Sequence, residues 1–392
     1  MKMYFLLFLL ALSGSGFSFA QSDTDSPGQQ AQLHDRRAQE LLAQKKPELA
    51  AEEFAAALAL DPHNLDAQAN LGVLLFFQKN YAKAEPFLRN VVDQRPDLTK
   101  IRALLGMCER HMGKTSLARA DLEAVVPALQ DPNARVDAGL ELIEIYTAAG
   151  ELEKAAALVA ILRQGAPADP RVLYTANRIY TKLAEEEVRK LAATAPGSGQ
   201  MYMVVAHELI LERDLDQAIM NLRKALAADP HLPGIHFELA EALHSSLEPK
   251  LKSEAEQEYK LAIAANKFDE KALCRFGDIT ADKGNLDEAA TYYKRALVLL
   301  PDDTDAEIGL SFIFVQKNQP DAALPLLEHV VADDPTNVRA HYRLSTVYHR
   351  LNRPDDAKRE VAAYKKYKDM KEKLRIVYKD MRSDTPALEP ES

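Results

Sequence analysis

The stretch "KGNLDEAATYYKRALVLLP" at residues 283–301 has a pattern that recurs along the chain. Related stretches are "ERDLDQAIMNLRKALAADP" at 212–230, "QKNYAKAEPFLRNVVDQRP" at 78–96 and "QKNQPDAALPLLEHVVADDP" at 316–335. The prolines that end these patterns are spaced by 34 residues, as from Pro62 to Pro96 and from Pro301 to Pro335. An internal period of this length predicts an array of repeated units in place of ordinary globular domains.

One position of the period is always alanine, and two others hold residues of constant size. The alanines are Ala50, Ala84, Ala118, Ala155, Ala218, Ala255, Ala289, Ala323 and Ala357. Twelve residues earlier most units have a small residue, and four residues later they have a bulky one. Small side chains allow two helices to cross closely, whereas larger ones would separate them. We therefore expect paired helices that bury their apolar faces by stacking on neighbouring pairs.

The chain resembles tetratricopeptide repeat proteins in its 34-residue period. It also has small residues at unit positions 8, 20 and 27 and proline at position 32, as that family does. The resemblance implies an all-α solenoid of about ten helix–turn–helix units that form a right-handed superhelix. It covers residues 31–367, with regular units at 31–169 and 199–367. Residues 170–198 form a compressed unit that is either two short helices or one long bent helix.

Three kinds of signal locate the helix boundaries inside the units. Gly113, Gly150 and Gly284 occupy unit position 15, where the first helix should end. Proline occupies position 17 in three units and predicts that the second helix begins there, at Pro47, Pro320 and Pro354. In the unit at 233–269, about three extra residues near "SSLEPKLKS" (245–253) predict a longer turn.

The two ends of the chain differ from the repeats. Residues 1–20 have a lysine, an apolar run and small residues near Ala20, which is typical of a secretory signal peptide cleaved after Ala20. The alternative is an uncleaved membrane anchor. We expect an exported protein, periplasmic or secreted, with disordered segments at 21–30 and 383–392. Apolar residues at helical spacing predict a helix over 368–382 that caps the stack.

The sequence offers little support for catalysis. "GKT" at 113–115 lacks the earlier glycine of a phosphate-binding loop, and "HELIL" at 207–211 lacks the second histidine of a zinc-protease helix. We predict no catalytic residue, no metal and no cofactor. The net charge of −10 argues against nucleic acid as a partner. Cys108 and Cys274 are predicted to be free thiols.

The family resemblance implies that the first helices of the units line a concave groove through positions 2, 5, 9, 12 and 13. The residues carried over to such positions are Phe76, Phe77, Met107, Arg110, His111, Met203, His207, Phe237, His244, Phe312, Tyr342, His349 and Arg350. Exposed Phe and Met there predict a covering partner, and packing against adjacent helices is the alternative. Position 5 has no Lys and position 9 no Asn, so the carboxylate clamp of the chaperone-binding members is not supported.

These features favour a non-catalytic scaffold whose groove binds an extended peptide or an amphipathic helix of a partner protein. The alternative is a cell-envelope assembly factor or a periplasmic chaperone-like component of a membrane complex. Contact with a membrane would then occur only through a partner or an uncleaved leader.

Overall fold

The computed structural model describes residues 26–246 and 248–383, which are helical throughout apart from short connections. These described residues contain no strand and form nineteen helices. The helices are α1 (Pro27–Ala43), α2 (Pro47–Leu60), α3 (Leu65–Phe77), α4 (Tyr81–Gln94), α5 (Thr99–His111), α6 (Thr115–Val125), α7 (Pro132–Ala148), α8 (Leu152–Gly165), α9 (Pro170–Thr194), α10 (Gly199–Leu211), α11 (Leu215–Ala228), α12 (Ile235–Ser245), α13 (Pro249–Ala265), α14 (Glu270–Asp282), α15 (Leu286–Leu299), α16 (Thr304–Gln316), α17 (Pro320–Asp333), α18 (Val338–Arg350) and α19 (Pro354–Ser383). The prediction of an all-α repeat architecture is confirmed.

Every helix except α9 belongs to a hairpin with a three-residue connection, beginning with α1–α2 and ending with α18–α19. The hairpins form two compact units, Met1–Arg189 and Lys190–Ser392, which divide inside α9. In the first unit, one apolar core runs from Ala38 to Ile179. In the second, clusters of buried side chains extend from Ala206 to Ala357.

The close helix contacts lie where the repeat predicts them. All nine alanines at position 20 are fully buried, with no exposed surface. A Cβ atom on Gly72 would lie 2.7 Å from Leu88, and one on Gly106 would lie 2.8 Å from Leu122. These pairs are positions 8 and 24 of the same hairpin. Glycine is required there because the bulky residue of the second helix already fills the space.

The turn within each hairpin uses a left-handed residue at position 15. Gly113, Gly150 and Gly284 have positive φ, as their predicted place in the turn requires. The same conformation occurs without glycine at Lys45, Lys79, Arg213, Asn318 and Asn352. The next residue then donates its N–H back across the turn, as Asn80 does to the carbonyl of Leu75 at 2.8 Å. This bond satisfies a carbonyl that the end of the helix leaves without a partner.

Two irregular regions differ from the ordinary unit. Residues 170–194 form one continuous helix, α9, in place of two short ones, and its buried side chains all lie between Val172 and Ile179. The longer turn predicted near 245–253 is wrong, because the connection between α12 and α13 has the usual three residues. The extra residues instead lengthen α13 to 17 residues. Pro249 at the first helical position sets an early start for this helix.

Helix starts agree with the proline pattern at Pro47, Pro320 and Pro354. The predicted disordered linker over 21–30 is wrong from Pro27 onward, because α1 begins there. The physical reason is a capping box, in which Ser26 accepts from the backbone N–H of Gln29 and Gln29 accepts from that of Ser26 at 2.9 Å. The predicted signal peptide (1–20) and residues 384–392 of the predicted tail lie outside the described residues.

The predicted capping helix over 368–382 is instead the continuation of α19, a single helix of 30 residues. Met370, Leu374 and Val377 are 45%, 50% and 51% exposed, so they do not cover the end of the stack. The helix continues without a break because no glycine or proline occurs within it after Pro354. Among the described helices, none has the length and apolar character that a membrane span requires. Cys108 and Cys274 are free and buried.

Candidate functional site

Two of the predicted groove residues belong to the core. Phe76 and Met107 are only 7% and 6% exposed. The Phe76 ring meets Phe77 edge to face at 5.4 Å and contacts Tyr81 at 5.6 Å. The alternative of packing against adjacent helices therefore applies to Phe76 and Met107, and neither is accessible to a partner.

The remaining predicted residues of the first unit lie at the ends of α3 and α5 and have local contacts. Phe77 is half-buried against the core. Arg110 forms an ion pair with Glu141 of α7, with 2.9 Å between Nε and Oε2. His111 stacks on Tyr81 with the ring centroids 4.4 Å apart. Their polar and aromatic groups are thus held by neighbouring helices.

In the first hairpins of the second unit the predicted residues are spread over α10 and α12. Met203 and Phe237 are half-buried and pack against the core. His207 is exposed, and its Nε2 lies 3.4 Å from a carboxylate oxygen of Glu238. His244 is exposed, with its ring 6.4 Å from that of Tyr259. Phe237 lines a cavity of about 460 Å³ at the start of α12, which the other three residues do not line.

The structure brings three predicted residues together between α16 and α18. Phe312, Tyr342 and Arg350 line a cavity of about 160 Å³. The other lining residues are Ser311, Val315, Gln316, Arg343 and Thr346. Tyr342 is 60% exposed at the rim, and Arg350 donates a hydrogen bond to the carbonyl of Val315. His349 is exposed and does not line this cavity.

Arg343 is the residue of this cavity that sequence reasoning missed. Its guanidinium carbon lies 4.7 Å from the centroid of the Phe312 ring, a cation–π contact. Burial lowers the pKa of Arg343, and the positive charge of Arg339 adds to this effect. No carboxylate of the described residues lies within 4.0 Å of its guanidinium.

The same position, the sixth of the unit, is also charged and paired in three other units. Glu141 pairs with Arg110 and Glu238 with His207, each across neighbouring hairpins. The direct parallel is Arg275, whose Nε donates to Glu241 at 3.1 Å. Glu241 stands at position 9 of the preceding unit, where Arg343 meets Phe312 instead. The recurrence of charge at position 6 is the sequence signal that could have identified Arg343.

Several histidines connect the two helices of one hairpin. Nδ1 of His236 lies 2.6 Å from Glu258, and Nδ1 of His341 lies 2.6 Å from Glu360. Over residues 26–246 and 248–383, no group of three or more His, Cys, Asp or Glu side chains could hold a metal ion.

Comparisons with known proteins agree with the repeat pattern. A family profile described as tetratricopeptide repeat matches residues 41–108 and 314–372, and a second one with the same description matches 270–302. Uncharacterized protein ycf37 of Cyanophora paradoxa is 29% identical over 144 residues, which is 36% of this chain and 82% of that protein. Type IV pilus assembly protein PilF of Pseudomonas aeruginosa is 30% identical over 118 residues, 29% of this chain.

The chain spans less than half of PilF, at 44% of its length. Among solved structures, that of MamA has 20% identity and a TM-score of 0.37. The match covers 45% of this chain and 94% of the MamA chain.

Proposed function

Because this chain is built of tetratricopeptide repeats, we propose that it is a non-catalytic scaffold that binds a partner protein through the first helices of its hairpins. In the second unit the binding site is the cavity between α16 and α18. Its ligand is a peptide segment that presents a carboxylate next to an apolar side chain. The single observation that carries this proposal is the contact of Arg343 with the Phe312 ring. At the equivalent place in an earlier unit, Arg275 contacts the carboxylate of Glu241.

The comparison with Arg275 supports the choice of ligand chemistry. Arg275 and Arg343 stand at the same unit position, and Arg275 has Glu241 as its partner. In the cavity, Phe312 stands at the unit position that Glu241 has in the earlier unit. The guanidinium of Arg343 can therefore donate hydrogen bonds to a carboxylate of a partner protein. A partly buried guanidinium forms stronger charge-assisted hydrogen bonds than an exposed one, because less water competes for it.

The rest of the cavity supplies the apolar and polar contacts of a peptide site. Phe312 offers apolar surface, and Tyr342 stands at the rim with its ring 5.6 Å from that of Tyr364. Gln316 and Thr346 line the same cavity with groups that can hydrogen-bond a peptide backbone. Apolar surface with a few convergent polar groups is the common composition of a recognition site.

The test is selection of a random peptide library on the purified full chain. Selected peptides should be enriched in Asp or Glu beside an apolar residue. Their affinity, measured by fluorescence polarisation, should fall about tenfold or more in Arg343→Met, because a charge-assisted hydrogen bond is lost.

The matched control is Arg339→Met, which removes the same charge one turn away on α18. Arg339 pairs with Asp305 at 2.7 Å and does not line the cavity. It should change the affinity by less than about threefold. Selected peptides without acidic enrichment, or equal losses in the two variants, would contradict the proposal.

A second candidate function is that of a cell-envelope assembly factor. It is supported by the similarity to a pilus assembly protein over 118 residues and by the signal-peptide pattern at 1–20. N-terminal sequencing of the protein from fractionated cells tests it. A new N-terminus near residue 21 in an extracytoplasmic fraction is expected, whereas an intact Met1 in the cytoplasm would refute it.

A further inference from the structure

The far half of α19 carries an apolar stripe that no other described helix covers. Met370, Leu374 and Val377 are each about half exposed. Earlier on the same helix, Tyr367 stacks on His341 of α18 with a centroid distance of 5.5 Å. The stripe therefore continues the line along which α19 packs on its hairpin partner, past the point where that partner ends. We call Met370, Leu374 and Val377 the C-terminal seam.

The spacing of the C-terminal seam is that of a coiled coil. Residues 367, 370, 374, 377 and 381 alternate steps of three and four, and all are apolar or aromatic. At about 100° per residue, the three seam residues fall within an arc of roughly 60°. A helix that packs one face on a globular core has an apolar stripe of about 100° or more, whereas the strict seam of a coiled coil is narrower. The narrow arc therefore favours a second helix, paired in coiled-coil fashion, as the occupant.

The edges of the C-terminal seam are positively charged. Lys366 and Lys373 lie along one edge of the seam, and Lys371 lies along the other edge. Over residues 365–375 there are six Lys or Arg and two acids, in a chain whose net charge is −10. The two acids form exposed pairs, Asp369 with Lys373 at 2.8 Å and Glu372 with Arg375 at 2.6 Å. Such pairs exchange easily for other partners.

This charge pattern also argues against a second copy of the chain. Two copies paired along the seam would place lysine edges against lysine edges, and like charges beside a coiled-coil seam oppose pairing. An occupant with Glu or Asp along its edges would instead form pairs with Lys366, Lys371 and Lys373.

From the position, width and charge of the C-terminal seam, we propose that it binds an acidic amphipathic helix of a different protein in coiled-coil fashion. This second docking surface is separate from the cavity between α16 and α18 and does not rest on its proposed function. The seam supplies the apolar contact, and its lysine edges select an acidic partner.

The probe is a synthetic helical peptide of about four heptads, with Leu at both seam positions of each heptad and Glu at the flanking positions. A second peptide with Lys in place of Glu is its charge-reversed counterpart. The full chain should bind the acidic peptide in fluorescence anisotropy, with affinity that falls as salt rises, and should not bind the basic one.

Two variants of α19 make the test specific. Leu374→Glu places a charge in the seam and should weaken binding about tenfold or more. Ile376→Glu adds the same charge at a residue that is 48% exposed and lies outside the seam, and it should change affinity by less than about threefold. Circular dichroism of both variants establishes that α19 remains helical.

Five results would overturn the proposal. The acidic peptide fails to bind, or both variants lose affinity equally. Sedimentation shows a dimer of the chain that Leu374→Glu dissociates, or vesicles containing phosphatidylglycerol bind through the seam while the peptide does not. A loss in Arg343→Met with none in Leu374→Glu would place the peptide in the cavity and refute only the seam.

Discussion

The ring of Tyr293 occupies the space into which a side chain at Gly309 would have to grow. A Cβ atom on Gly309 would lie 2.8 Å from Cδ1 of Tyr293 and closer still to Cε1. Tyr293 is only 1% exposed, and its hydroxyl donates to Asp278 at 2.7 Å. Because that hydrogen bond holds the ring in place, neighbouring hairpins can stack here only if α16 carries a glycine.

Gly309→Ala should therefore destabilise the second unit by about 1–3 kcal/mol, the usual cost of overpacking a filled core. Chemical denaturation followed by circular dichroism measures the loss. Gly165→Ala is the control, since a Cβ atom at Gly165 would have no atom within 4 Å. Its stability should stay the same or rise slightly, because alanine favours a helix. Equal losses in both variants would refute the packing argument.

Lys79 has a left-handed backbone, with φ of 61°, at the turn between α3 and α4. Lys79→Gly should raise the stability of the first unit by roughly 0.5–1 kcal/mol, because glycine adopts this conformation without a steric penalty. Lys83→Gly, an exposed position within α4, should instead lower it by roughly the same amount. Thermal denaturation of both variants gives the sign. A loss of stability in Lys79→Gly would contradict the prediction.

Glu109 is a fully buried acid whose charge is compensated by Arg89, which contacts it from α4. Arg89→Met should destabilise the first unit by about 3 kcal/mol, because it leaves a buried carboxylate without its cation. The double variant Arg89→Met with Glu109→Gln should recover part of the loss. Arg95→Met, which removes an exposed pair with Asp97, should leave the stability almost unchanged. Urea denaturation of the four proteins tests these relations, and a double variant no better than Arg89→Met would refute the pairing.

The pKa of His329 should lie above its ordinary value, first because of its hydrogen bond to Glu307 and then because of the charge of that group. Since the folded-state pKa is raised, the contribution of this histidine to stability is complete below about pH 6.5 and is lost as the pH rises through the folded-state value. NMR titration of the imidazole protons measures that pKa. Glu307→Gln should lower it, and Asp302→Asn should lower it less because Asp302 is the more distant acid, at 3.8 Å. An unchanged pKa in Glu307→Gln would contradict the assignment.

The positions at which helices cross were predictable because one physical demand, a small side chain, determines them in every unit. Ala289 and Gly277 could be assigned from spacing alone, and both are buried as expected. The left-handed turn at Lys79 could not be assigned, since lysine adopts that conformation only where the surrounding hairpin enforces it.

The candidate site was predictable only in part. Phe312, Tyr342 and Arg350 were identified from their unit positions, and the structure places them in one cavity. Phe76 was assigned by the same rule but is buried, because the aromatic rings around it close over that place. Arg343 was missed since its environment depends on Phe312 of the preceding hairpin, which only the stacking of α16 and α18 reveals.

The lengthened α13 shows how such an array changes size. Relative to the 14-residue second helices such as α11, it has 17 residues, an addition close to one full turn of helix. An addition of nearly one turn returns the following side chains to almost their former direction, so Ala255 and Tyr259 still face the core. Growth by whole turns therefore preserves the register of every later hairpin, whereas adding one or two residues within the helix would rotate its buried face out of contact.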